Sequence, residues 1–418
     1  MSARALAIRI FLAFACAYFL SALLRAVTAT LAPAFSTEFG LRAGDLGLLA
    51  GAYFLGFSAL QLPLGTALDR IGPKKVLLSL TVLAVLGCAA FAMADSLGGL
   101  ILARVLMGMG LAAGLMAPLT CYRARLSDAM QLRANSWMLM TGSLGMLAST
   151  LPVQWLLPVW GWRGLFWALA ALLLVAMAVI ALAVPRDEQP DARAPQEQAG
   201  GYRTIVLHPA FLRNAPAGFF VYGGLIAVQT LWAGPWLTRV AGFTPEQSAA
   251  GLFAINLSML FAFMAWGALM PRLVQRGWSA HRIMVIGLPA NLLLMGWIVL
   301  SPTPAGAWTW AAWCVSCTFV SLGQPSVAQA FSKERAGRAL SAFNLVIFVG
   351  VFSVQWLVGL GIDLARSLGL SEGAAFRATF AVFLGCCVLA YAWLVLFRAR
   401  PAPAAQAAQA RPQGDRAP

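Results

Sequence analysis

Long unbroken apolar runs, separated by short polar links, set the pattern of this chain. A helix needs about 20 apolar residues to cross the hydrocarbon of a bilayer. Runs of that kind fall at roughly 7–32, 45–66, 75–94, 98–121, 135–157, 163–184, 214–237, 247–270, 281–300, 307–330, 339–363 and 375–398. They are continuous rather than alternating with period two, so helices are expected and a closed membrane barrel is not. The pattern predicts an all-α membrane protein with twelve transmembrane helices.

One polar break stands out from the short links. Residues 185–213 contain Pro185, Arg186, Asp187, Glu188, Pro190, Asp191 and Pro195, a linker composition. It divides an N-terminal six-helix half, 1–184, from a C-terminal six-helix half, 214–398. The halves echo each other. Arg133-Ala134-Asn135-Ser136 precedes the fifth run as Arg338-Ala339-Leu340-Ser341 precedes the eleventh. Trp162-Arg163 and Phe376-Arg377 open the sixth and twelfth, and Val153-Gln154-Trp155-Leu156 is matched by Val354-Gln355-Trp356-Leu357. Matching places of this kind point to an internal duplication. The tail 399–418, rich in Ala, Pro and Gln, is expected to be disordered and cytoplasmic.

Composition sharpens the class. The 418 residues are 61% hydrophobic and 10% charged, with mean hydropathy +0.80, more apolar surface than a soluble domain could bury. The net charge of +15 would suggest nucleic acid in a soluble protein, but here it follows the loops. Links on the N-terminal side carry Arg70, Lys74, Lys75, Arg123, Arg125, Arg133, Arg272, Arg276, Arg282, Lys333, Arg335 and Arg338. The opposite loops hold only Arg42, Arg163, Arg239, Arg366 and Arg377. The excess of basic residues places both termini in the cytoplasm. Arg4 and Arg9 before an apolar run imitate a signal peptide, but the run continues to about Ala34 and reads as a retained first helix. All seven cysteines lie in or at the ends of apolar runs, and Cys314-x-x-Cys317 has no neighbouring His, so packing is expected rather than metal or redox work. No nucleophile–base pair, metal cluster or nucleotide loop is present. Neither an enzyme nor a cofactor is expected.

The link between the second and third runs reads Gly65-Thr66-Ala67-Leu68-Asp69-Arg70-Ile71-Gly72-Pro73-Lys74-Lys75. It resembles the signature loop of the major facilitator superfamily, G-x-x-x-D-R-x-G-x-[KR]-[KR], between helices two and three. The resemblance implies a gating role for Gly65, Asp69, Arg70, Gly72 and Lys74. In the family the acid meets helix ends of the other half when the cytoplasmic side is shut. The counterpart after the eighth run is worn: Gly267 and Arg272 keep their places, but Pro271 stands where the acid would be. Helix four carries a second match, Arg104-x-x-x-Gly108-x-Gly110, similar to the family's arginine–glycine motif. Its glycines permit close helix contact, and Arg104 serves either substrate or coupling, or only bonds backbone carbonyls. The helix-five hallmark of proton-driven drug exporters, G-P-x-x-G-G, is only partly present in Gly142-Ser143-Leu144-Gly145, which counts against a drug–proton antiporter.

Arg25 is the most informative single residue. A charge inside a span costs about 2.5–3.5 kcal/mol on insertion scales and normally faces a cavity or a partner. Tyr18, Ser21, Arg25 and Thr28 recur at helical spacing and form one polar stripe on helix one. The arrangement resembles the phosphate-ester and organic-anion branches of the superfamily, where a helix-one arginine grips the anionic group. A guanidinium suits that task because its planar fork binds carboxylate or phosphate bidentately and stays charged. The alternative is that Arg25 snorkels outward or bonds a backbone carbonyl. Those relatives carry a second arginine in helix seven, where this chain has Tyr222 and Gln229 on one helical face with Trp232 and Trp236 nearby. A neutral partner points to a monoanion, or to a larger cargo with one anionic end.

Every Asp and Glu falls in a loop, at a helix end or in the tail, and His208 and His281 are in loops, so no proton relay sits mid-membrane. A proton-coupled carrier would have to use Asp45 or Asp363, at helix ends, or carry the proton on the substrate itself. Anion exchange, or uptake in which the bound anion supplies the charge switch, fits better. Single polar residues such as Gln61, Asn256, Gln324 and Gln355 read first as interhelical hydrogen bonds. Trp160, Trp162, Trp308 and Trp310 read as interfacial belts. The expected function is secondary active or facilitative transport of a small organic anion by alternating access. The carrier would be a monomer in a bacterial cytoplasmic membrane, with Arg25, Tyr18, Ser21, Gln229, Trp232 and Tyr222 binding the cargo. Its rivals are an exporter of drugs, siderophores or other amphiphiles, and a transporter-like membrane sensor without flux.

Overall fold

A computed structural model of the chain describes residues 3–185 and 201–397. Residues 186–200 of the expected linker, and the tail from 398 onward, lie outside the described residues. The described chain is all-helical, with no strand. The N-terminal part comprises α1 (Ala3–Phe39), α2 (Ala43–Ala59), α3 (Gln61–Ile71), α4 (Pro73–Met93), α5 (Leu97–Leu111), α6 (Met116–Arg125), α7 (Asp128–Ala148) and α8 (Leu151–Ala183). After Gly201 come α9 (Tyr202–Val206), α10 (Pro209–Pro216), α11 (Gly223–Ala227) and α12 (Ala233–Arg239), joined by π-helical turns at Ala217–Tyr222 and Val228–Trp232. The remaining elements are α13 (Pro245–Gln275), α14 (Ala280–Leu300), α15 (Ala307–Cys317), a 3₁₀ turn Thr318–Leu322, α16 (Gly323–Ala328), α17 (Lys333–Ser367) and α18 (Glu372–Leu396).

Among the described residues, nine helical stretches are long and apolar enough to cross a bilayer, and the bent pair α2–α3 makes a tenth. Outward faces carry large apolar side chains such as Leu182, Leu293, Leu300 and Leu396 in full exposure. Such surfaces are tolerated only against lipid. This is a multi-pass membrane protein.

The breaks have identifiable causes. Pro63 has no N–H and crowds the carbonyl four residues back, and α2 and α3 meet at 45°. Pro325 acts likewise on Ser321, and the preceding turn tightens to 3₁₀. The expected span 135–157 is longer and interrupted: α7 begins at residue 128, Thr150 leaves helical geometry (φ −105°, ψ −109°) and the chain restarts as α8. Gly161, at φ 63°, then separates 135–157 from 163–184 inside α8.

The tryptophan belt is corrected in part. Trp162 is buried and donates its indole N–H to Glu38 Oε2 at 2.6 Å, and Trp310 is enclosed by Trp236, Trp313 and Phe380. Both are core residues, because the ring edges find partners inside the bundle. Trp160 and Trp308 are exposed. Cys314 and Cys317 are buried, and Asn291 Nδ2 donates to Cys317 Sγ at 2.6 Å.

α1 and α2 sit centrally. α1 packs on α7 and α8 and, from the C-terminal part, on the π-helical turn Val228–Trp232 and α12. α2 packs on α5 on one side and along α17 on the other. These helices bring the polar stripe of α1 into the interior.

Candidate functional site

The stripe on α1 is seated by small residues. A side chain at Gly142 on α7 would meet the Tyr18 ring at 2.6 Å, and one at Gly145 would meet the Phe19 carbonyl at 2.3 Å. The glycines that only partly match the exporter hallmark therefore let α7 approach α1 closely. Tyr18, Ser21 and Thr28 are buried, and Arg25 is half-buried between them.

Arg25 has no hydrogen bond and no ion pair with any described residue, and its Nε is sealed from solvent without a partner. The backbone-carbonyl alternative for Arg25 is not what this structure contains. The phenols of Tyr53 and Tyr222 lie within electrostatic range of its guanidinium, and Tyr18 lies within range of both phenols. Two of the six tyrosines in the chain thus lie within electrostatic range of one guanidinium, and Tyr18 stands about two turns before it on the same helix. The Tyr53 hydroxyl is buried without a hydrogen-bond partner, with the Ser21 hydroxyl beside it but outside bonding geometry.

Arg104 is a different arginine. It is 1% exposed, donates from Nη1 to the Leu24 carbonyl at 2.8 Å, and lies 5.1 Å from the centre of the Tyr53 ring. The Leu24 bond is the structural role that the sequence left open. Its Nε and Nη2 remain without partners. Gly108, one turn on, makes this geometry possible, since a Cβ there would stand 1.9 Å from the Tyr53 carbonyl oxygen. Two guanidinium groups thus lie inside the N-terminal bundle, and no carboxylate pairs with either among the described residues.

The structure brings together Tyr18, Ser21, Arg25 and Tyr222, and adds Tyr53. Gln229 and Trp232 are engaged elsewhere. Gln229 donates to Asn256 Oδ1 at 2.8 Å, and Trp232 donates to the Gln355 carbonyl at 3.1 Å while Gln355 Nε2 reaches Thr230 Oγ1 at 2.9 Å. The π-helical turns explain why Tyr222 and Gln229 need not share the face that 3.6-residue periodicity assigns them, since each wider turn rotates the residues beyond it. Tyr53 lacked a motif. Its signal was a phenol placed mid-span among Gly51, Gly56 and other small residues.

The signature loop forms a tight corner. Gly72 adopts φ 97°, ψ 148°, a conformation suited to glycine, and Pro73 starts α4. Lys74 Nζ bonds the Ala181 and Val184 carbonyls at 2.7 and 2.6 Å, capping the C-terminus of α8. Asp69 and Arg70 are exposed, Asp69 has no partner among the described residues, and the space above Gly65 is open. At the far end of the bundle, a cavity of about 500 Å³ is lined by Thr30, Thr37, Glu38, Gln154 and Glu246. Among the described residues, no group of His, Cys, Asp and Glu could hold a metal.

Comparison with known proteins agrees with this architecture. The sequence profile described as Major Facilitator Superfamily matches residues 14–352. The chain is 26% identical to the inner membrane transport protein YajR of Escherichia coli K12, over 84% of this chain and 74% of that protein. It is 22% identical to the multidrug transporter MdfA of Escherichia coli O6:H1, over 80% and 83% of the two chains. A bacterial homologue of the human lysosomal transporter Spinster, solved inward-facing and unoccupied, superimposes with TM-score 0.71 at 18% identity, covering 95% of this chain and 99% of that one. The signature loop, the helical bundle and the profile match lead to one conclusion: the chain belongs to the major facilitator superfamily of transporters.

Proposed function

We propose that the protein is a secondary carrier for a small organic anion, working by alternating access between two six-helix halves, 1–184 and 214–398, joined by the linker 185–213. In this reading the nine spans and the bent pair are joined by α7 with the start of α8, and by α15 with α16, to give twelve crossings. The basic loops put both termini on the cytoplasmic side of a bacterial inner membrane, and the carrier acts as a monomer.

The observation that carries the anion reading is Arg25, half-buried, without a counter-charge among the described residues and within range of the Tyr53 and Tyr222 phenols. An unpaired charge at that depth is costly, and the neighbours offer donors rather than a counter-charge. An anionic cargo supplies that counter-charge. The guanidinium binds the anionic group, and the hydroxyls of Tyr18, Tyr53 and Tyr222 donate to it. Ser21 stands beside the Tyr53 hydroxyl, and Gln229 and Trp232 join only if helix rocking releases them from Asn256 and Gln355. Arg104 braces α1 beneath Arg25, with Gly108 permitting the contact. Gly65, Asp69, Arg70, Gly72 and Lys74 form the gate at the cytoplasmic end.

A thermal-shift panel of benzoate, lactate, succinate, glucose and choline tests this, run on the wild type and Arg25→Gln. A bound ligand raises stability by mass action. Stabilisation by anions alone, lost in the variant, supports the reading. Equal stabilisation of both proteins by choline or glucose returns Arg25 to a structural role and favours the exporter. Anion binding without flux in proteoliposomes would make the protein a sensor.

A further inference from the structure

The two halves touch most intimately where α2 lies along α17. A Cβ on Gly47 would stand 2.3 Å from the Gln355 carbonyl oxygen, and one on Gly359 would stand 2.3 Å from that of Ala43. Glycine alone allows the backbones to come this close. At the Ala43 end, α2 begins with N–H groups that its own sequence leaves uncapped. Arg42 occupies the cap position without a side-chain hydrogen bond to the helix, and Asp45 turns back to accept the Arg42 N–H at 3.1 Å. The missing cap comes from the other half. Asp363 Oδ1 accepts the Ala43 N–H at 3.1 Å and Oδ2 accepts the Gly44 N–H at 2.7 Å.

We propose that Asp363 is a gating residue: its carboxylate is a clasp that closes the Ala43 end of the carrier by capping α2 from α17. A carboxylate on two free N–H groups at a helix N-terminus gains from charge-assisted bonds and from the helix dipole. Both gains vanish when the halves separate at that end. Gly44 fits the device, since a side chain there would meet Asp363 Oδ2 at 2.9 Å. The same end holds other cross-half contacts: Arg239 Nη2 donates to Ser36 Oγ at 2.9 Å, and Gly234 lies against the Ala29 carbonyl. Opening must break these together, and Asp363 is the one carboxylate among the described residues that caps a helix of the opposite half. The inference rests on the alternating-access part of the proposed function, not on the identity of the cargo.

Hydrogen–deuterium exchange of the purified full-length protein tests it, with no cargo present. Asp363→Ala is compared with Asp45→Ala, which disturbs the start of α2 without touching α17. The clasp predicts that Asp363→Ala accelerates exchange about tenfold in peptides covering 41–49 and also in those covering 36–41 and 234–246, where Asp363 makes no contact. Asp45→Ala accelerates 41–49 alone. Asp363→Asn, which keeps the shape and one acceptor, gives a smaller change of the same pattern and serves if the alanine variant does not fold. Acceleration confined to 41–49 in the Asp363 variants, or no change, overturns the clasp and leaves a local cap. Neither result touches the anion reading, which the Arg25→Gln panel decides separately.

Discussion

Arg104 Nη1 and the Leu24 carbonyl, 80 residues apart in sequence, are joined by a hydrogen bond of 2.8 Å. Leu24 directly precedes Arg25, so the buried arginine of α5 fixes the backbone from which the other arginine projects. Arg104→Met is expected to lower stability by about 2 kcal/mol, because a buried charge-assisted bond and a ring contact are lost together. Anion affinity should fall while the preference for anions over neutral compounds survives. Thermal unfolding and the ligand panel on the variant check both parts.

Gly108 and Tyr53 give a sharper steric prediction. The added methyl of Gly108→Ala would sit 1.9 Å from the Tyr53 carbonyl oxygen, and backbone cannot move aside as a side chain can. A cost of at least about 1–3 kcal/mol is expected, read as loss of monodisperse protein in size-exclusion chromatography. Gly65→Ala, where the space is open, should behave as wild type in the same assay.

Lys74→Met removes two bonds to the carbonyl end of α8. Stability should drop by about 0.5–2 kcal/mol, with Lys74→Arg restoring part of it, since a guanidinium also caps a helix C-terminus. Differential scanning fluorimetry of the two variants measures the difference.

Asp69 is exposed and has no partner among the described residues, so Asp69→Asn should change stability by less than about 0.5 kcal/mol. Its proposed gating role predicts that transport nonetheless falls several-fold, with binding retained. Normal uptake by the variant would remove Asp69 from the gate.

Much of this was legible in the sequence, and the gaps have physical reasons. Continuous apolar runs set the helices, and Pro63 and Pro325 mark where they bend. The π-helical turns at Ala217–Tyr222 and Val228–Trp232 have no sequence signature, so side-chain faces counted at 3.6 residues per turn are unreliable beyond them. Arg25 and Arg104 look alike as charges inside spans. Only the structure separates the one tied to a carbonyl from the one without a hydrogen-bond partner among the described residues. Tyr53 carries no motif, since an aromatic ring mid-helix is ordinary, and its meaning comes from Arg104 against its ring and Arg25 within electrostatic range of its phenol. Asp363 was visible as an acid at a helix end, but its partners are backbone N–H groups 319 and 320 residues away, which every residue except proline possesses.

The most direct test of the anion carrier is counterflow in proteoliposomes. Vesicles preloaded with unlabelled benzoate, lactate or succinate are diluted into the labelled compound, with wild type, Arg25→Gln and Arg25→Lys compared. The account predicts that the wild type accumulates at least one of the three anions. Arg25→Gln loses this through an affinity reduction of about tenfold to a hundredfold, and Arg25→Lys falls between because a point charge replaces a planar fork. Undiminished anion counterflow in Arg25→Gln, with the variant folded, would contradict it.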